Sequence, residues 1–155
     1  MNNPTESIVN VWLQEFNDPR HFTRNNIYVH RKSHKDHGKK IMGGLGPEID
    51  IISTDGKKYY WIEVSVPSRP FGAGGHKGKA VARDYTKKFT NEKLRYISDI
   101  LKIRSVNKWL IYSPKFFKKT SNEEEIFRET LLKKGIKGVS FDNVLKEIYS
   151  GLNYR

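Results

Sequence analysis

A chain of 155 residues with 36% hydrophobic and 12% aromatic content can bury one core, and no apolar run approaches the roughly 20 residues of a membrane span. The absence of cysteine excludes disulfides and thiolate zinc sites. Lysine and arginine outnumber aspartate and glutamate 29 to 17, and the net charge of +12 is spread along the whole chain, which points to a polyanion, most often nucleic acid, as partner.

The first residues, MNNPTESIVNVW, lack a basic start followed by an apolar run, so no signal peptide is expected and the protein reads as intracellular, cytoplasmic or nucleoid-associated. Residues 3–16 have a helical pattern: Asn3 can cap it, Pro4 suits the first turn, Glu6 completes a capping box, and Ile8, Val11, Trp12 and Phe16 share a face. Asn17, Asp18 and Pro19 stop it. Residues 26–32, NIYVHRK, read as a strand, followed by SHKDHGKKIMGGLG, a basic, glycine-rich connection expected to be mobile without a ligand. Strands over 47–54 and 58–66 meet at Asp55-Gly56, a hairpin signal, and should pair antiparallel. Beyond a second basic loop, PSRPFGAGGHKGKA, residues 80–103 present Tyr85, Phe89, Tyr96, Ile97, Ile100 and Leu101 at helical spacing.

Residues 107–112, NKWLIY, form an apolar strand ended by Pro114. Ser121 and Glu124 make a second capping box, for a helix through Lys134 that Gly135 closes. A weak strand over 137–141 and a helix from Asp142 to Gly151 complete the order αβββαβαβα, an α/β fold with a mixed sheet flanked by helices in a single domain, 1–155.

The hairpin carries an oddity for so basic a chain. Strand alternation puts Glu48, Asp50 and Ile52 on one face and Ile49 and Ile51 on the other; in the second strand Tyr59, Trp61, Glu63 and Ser65 oppose Tyr60, Ile62, Val64 and Val66. Glu63 lies inside the apolar run YYWIEVSV and Asp50 inside IDII, and acids are rarely buried without a partner. If the acidic faces coincide, Asp50 and Glu63 converge, and a divalent cation relieves their repulsion. Hard oxygen ligands select Mg²⁺ or Mn²⁺, which on a basic domain predicts metal-dependent phosphodiester hydrolysis. The plainer alternative makes these acids solvent-facing partners of surface lysines.

Pro47-Glu48-Ile49-Asp50 and Glu63-Val64-Ser65, placed on a hairpin after a helix and a strand, resemble the two halves of the motif of PD-(D/E)XK, or restriction-endonuclease-like, nucleases. The resemblance covers residues 3 to about 112. It implies Asp50 as central metal ligand, Glu63 as the second and the backbone carbonyl of Val64 as a further one. Glu48 departs from the motif's spacing and is either an extra ligand or a neighbour on the same face. Relatives that cut branched or broken DNA often add an acid from the first helix, where Glu6 and Glu15 are the candidates.

Ser65 stands where that family has a lysine, which positions the attacking water and balances charge, help typically worth about 10²–10³ in rate. Three readings compete: the lysine has moved to Lys87 or Lys88 on the following helix, or to Lys77 or Lys79 in the loop; a metal alone activates water; or the chain is a non-catalytic DNA-binding protein on the same fold.

Arg31, Lys32, Lys35, Lys39 and Lys40 in the first basic loop, and Arg69, Lys77 and Lys79 in the second, suit contacts to phosphates. GAGGHKGKA fails as a Walker A loop, because Ala73 stands where a glycine is needed and Ala80 follows Lys79 where Ser or Thr is needed. His30, His34 and His37 match no strong zinc spacing and sit among cations, so DNA contact is the better expectation. Trp12, Trp61 and Trp109 fall on apolar faces and are expected in the core. The reading as a whole is an Mg²⁺-dependent endodeoxyribonuclease, acting as a homodimer on two-fold symmetric DNA, resolvase-like by analogy, with restriction and homing endonucleases as alternatives within the class.

Overall fold

The computed structural model describes residues 3–66 and 76–153. Among them, helix α1 (Pro4–Val11) runs into a π-helical turn (Trp12–Phe16), followed by strand β1 (Phe22–Arg31), a hairpin of β2 (His34–Asp36) and β3 (Lys39–Ile41), and the long hairpin β4 (Gly44–Thr54) and β5 (Tyr59–Ser65). Helices α2 (Gly78–Thr86) and α3 (Asn91–Leu101), strand β6 (Asn107–Tyr112), a 3₁₀ turn (Pro114–Phe116), α4 (Glu123–Lys133), β7 (Ile136–Ser140) and α5 (Phe141–Asn153) complete the order. No described helix is long and apolar enough to cross a membrane.

Five strands form one mixed sheet in the order β1-β4-β5-β6-β7. The β1/β4 and β4/β5 pairs are antiparallel, whereas β5/β6 and β6/β7 are parallel and joined by helical crossovers. One face packs Ile51, Ile62, Val64 and Ile111 against Val9, Trp12 and Leu13 of the first helical segment and Val144 of α5. The other face carries two clusters: Leu110 and Tyr112 under α2 and α4, and Ile49, Ile52 and Trp61 under Ile97 of α3. All three tryptophans pack in or against these clusters, as their positions in apolar runs implied.

Several local expectations are corrected. The connection after β1 is not a structureless loop, because His34–Asp36 pairs with Lys39–Ile41 around a turn at His37 and Gly38. The single helix expected over 80–103 is two, because the Thr90 side chain accepts the Lys93 N–H and caps a new helix start. Neither capping box forms: Asn3 caps α1 through the Thr5 N–H while Glu6 is buried elsewhere, and Glu124 accepts the Tyr112 hydroxyl at 2.8 Å. The last helix opens at Phe141 rather than at an Asp142 cap, and it does not stop at Gly151. A Cβ on Gly151 would stand 2.4 Å from the Phe16 ring, so the glycine lets α5 close onto the π-helical turn.

Candidate active site

The site forms where the β4/β5 ladder stops. Backbone pairing runs from Thr54↔Tyr59 to Ile51↔Ile62 and then gives way to side chains. The Asp50 N–H donates to the Glu63 carboxylate at 3.1 Å, and the Val64 N–H donates to the Asp50 carboxylate at 2.8 Å. Two acids thus replace the carbonyls that a continued ladder would supply.

The side-chain alternation of β4 also slips here. Ile49 packs in the cluster under α3 and Ile51 in the cluster under α1, although two residues of the same parity were expected on one face. Asn26, at φ 53°, lies opposite Asp50 between the pairs Asn25↔Ile51 and Ile27↔Ile49, so the irregularity spans both strands.

Because of that slip, acids approach Asp50 from both faces of the sheet. From the α1 side, one carboxylate oxygen each from Glu6, Glu48 and Asp50 lies within 4.8 Å of the others. Glu6 is 8% exposed, and burial, followed by the charges of Asp50 and Glu48, pushes its carboxyl up to about 7 despite the nearby Lys88 ammonium. Tyr28, paired with Glu48 across β1 and β4, donates its hydroxyl to that carboxylate and orients it.

From the α3 side comes Glu63, 1% exposed, whose carboxyl is raised above its ordinary range by burial and by Asp50, with which it shares a hydrogen bond. Lys93, 8% exposed, forms an ion pair with Glu63 and opposes that shift.

The residues singled out in the sequence separate clearly. Asp50, Glu63 and Glu48 gather, and Glu6 joins them; Glu15 is exposed on the π-helical turn and has no place in the cluster. Ser65 shares a hydrogen bond with Tyr85 and is half-buried at the end of β5. Among the lysines expected to fill the vacant role, Lys88 reaches the centre, its Nζ donating to the Val64 carbonyl at 3.4 Å. Lys87 is exposed, Lys79 is exposed on α2, and Lys77 pairs with Glu123 at 3.8 Å. Arg31, Lys32, Lys35, Lys39 and Lys40 are all exposed around the small hairpin, Arg31 held to Glu92 by two bonds of 2.9 and 3.0 Å; Arg69 lies outside the described residues.

His30 sits against Tyr96, and the three histidines do not appear among the groups of metal-ligating side chains in the described residues. Lys93 and Tyr28 were missed. Lys93 did leave a trace, falling four residues after Phe89 and four before Ile97 on the apolar stripe.

No family model matches the chain, and no curated protein matches it. A solved structure, described as the crystal structure of protein of unknown function AF1548, is similar at 19% identity with a TM-score of 0.47. The match covers 88% of this chain and 57% of that one, so this chain spans a little over half the length of that protein.

Proposed function

We propose that the protein is a metal-dependent endonuclease that hydrolyses DNA phosphodiester bonds. The supporting observation is the opened ladder end, where four carboxylates and two ammonium groups meet on a chain of net charge +12. Three clustered carboxylates of which one is pushed up to about 7 form a donor set that fits a hard divalent cation, because such an ion removes the repulsion that favours the proton. Asp50, Glu48 and Glu6 would hold it, with Glu63 and the Val64 carbonyl beside them. A bound Mg²⁺ or Mn²⁺ supplies phosphoryl polarisation and lowers the pKa of a water.

The chain's own groups do the rest. Lys93 neutralises Glu63 and fixes its carboxylate. Asp50 is held at the junction by the Val64 N–H. Lys88 brings a positive charge to the Val64 carbonyl, where it would take the place of the lysine missing at Ser65 and offset charge on a scissile phosphate.

The test is incubation of supercoiled, single-stranded and four-way-junction DNA with Mg²⁺ or Mn²⁺, comparing wild type with Asp50→Asn and Glu63→Gln. Metal-dependent cutting by wild type that both substitutions abolish is expected, and the preferred substrate identifies any selectivity for branched DNA. Absence of cutting by wild type on every substrate overturns the reading.

A further inference from the structure

A second cationic feature lies on the same edge of the sheet, outside the acidic centre. Ser65, Tyr112 and Ser140 are in register across β5, β6 and β7, so these strands end side by side. Beyond β6 and β7 opens a cleft of about 380 Å³, lined by Lys115, Lys118 and Lys119 after the 3₁₀ turn and by Lys146 on α5. None of these four lysines takes part in an ion pair among the described residues. Two carboxylates also line the cleft, Glu124, which accepts the Tyr112 hydroxyl, and the exposed Asp142, so lysines exceed acids there.

Ser140 supplies an independent observation. It lines the cleft and is 7% exposed, yet its hydroxyl has no hydrogen-bond partner among the described residues. It immediately precedes the thirteen-residue helix α5, whose first N–H groups have no intrahelical acceptor. A free hydroxyl, helix-terminal amides and exposed ammonium groups together match the acceptor oxygens of a phosphate.

We propose that this cleft seats a phosphate of the nucleic-acid backbone. Nucleic acid as the ligand rests on the functional reading above; the cleft itself does not. Two strand spacings of about 4.8 Å put Ser140 about 10 Å from Ser65. Successive phosphates of one strand lie farther apart than the roughly 3.4 Å axial rise, because the backbone also winds around the axis, so that span is about one to two nucleotides. The cleft therefore grips the strand close to the acidic centre and sets its register, and the lysines contribute no base selectivity.

The experiment is amide NMR on the full chain in metal-free buffer, titrated separately with inorganic phosphate and with a short DNA duplex, for wild type, Ser140→Ala and the double variant Lys118→Ala/Lys146→Ala. DNA should shift the amides of Asp142 and Asn143, and both variants should weaken the shift. Fluorescence anisotropy should show the double variant's log–log salt slope shallower by about 1–2, with similar loss on every sequence. That result supports the cleft whether or not the protein cuts DNA. Shifts with inorganic phosphate and none with duplex overturn the nucleic-acid assignment, and no shift with either overturns the site.

Discussion

Replacing Glu6 by glutamine should make the metal-free protein more stable, and the gain should depend on pH in a defined direction. The Glu6 carboxyl is raised from 4.5 to about 7 by burial and by the charges of Asp50 and Glu48. The folded state therefore holds the proton more tightly than the unfolded chain. Below about pH 4.5 both states are protonated and the residue costs nothing. Between 4.5 and 7 the unfolded state ionises first and stability falls; above 7 the penalty is complete. At about 1.4 kcal/mol per unit this is roughly 3 kcal/mol, reduced to about 1–2 because the half-buried Glu48 and Asp50 admit water and screening.

Glutamine keeps the shape and removes the charge. In EDTA at about pH 8, Glu6→Gln should melt roughly 2–8 °C above wild type by circular dichroism, and the gap should close near pH 4.5. With Mg²⁺ the order should narrow or invert, because wild type gains up to about 2.7 kcal/mol at one hundred times its dissociation constant and the variant has lost a ligand. A variant that melts below wild type in EDTA at about pH 8, or a gap that does not vary with pH, would refute the reasoning.

Three further outcomes are expected. Lys88→Met should lower the cleavage rate by about 10²–10³ while DNA affinity changes little, as measured by single-turnover kinetics beside anisotropy. Lys93→Met should cost up to about 3–5 kcal/mol in urea melts at a pH above the raised Glu63 range of about 8, where the buried carboxylate is left ionised and unpaired, and less at and below neutral pH, where Glu63 holds a proton. Gly78→Ala should cost about 1–3 kcal/mol, since its Cβ would stand 2.2 Å from the Glu123 carbonyl oxygen where α2 meets α4.

The parts of the fold that could be read from the sequence were those decided by short-range chemistry. The β4/β5 hairpin follows from two β-rich runs around Asp55-Gly56, whose turn is held by the Asp55 carboxylate accepting the Lys57 and Lys58 N–H groups at 2.8 and 2.7 Å. NKWLIY became β6 without change. The division between α2 and α3 was missed because the stripe from Tyr85 through Phe89 and Ile97 keeps helical phase across it, and phase says nothing of a capped restart at Thr90. Within the site, the acids declared themselves by being charged inside apolar runs. Glu6 carried a competing local explanation as a capping residue, which tertiary burial overrode. Lys93 was hidden by its type, since a lysine on a basic chain attracts no attention until the apolar stripe around it is counted. The slip at Asp50 cannot be read from alternation at all, since alternation is the rule it breaks.

That slip gives the acids a second duty. The N–H of Asp50 is satisfied by Glu63 and that of Val64 by Asp50, so each carboxylate also holds the sheet together at a point where its own backbone does not. An alanine at either position orphans a buried donor at about 1–3 kcal/mol, whatever becomes of catalysis. Both acids would therefore be kept as rivets even in a chain with no nuclease activity. Lys88 gives the same junction only one long bond of 3.4 Å, to the Val64 carbonyl, so an unchanged melting temperature in Lys88→Met would separate a role in the proposed reaction from a role in the sheet.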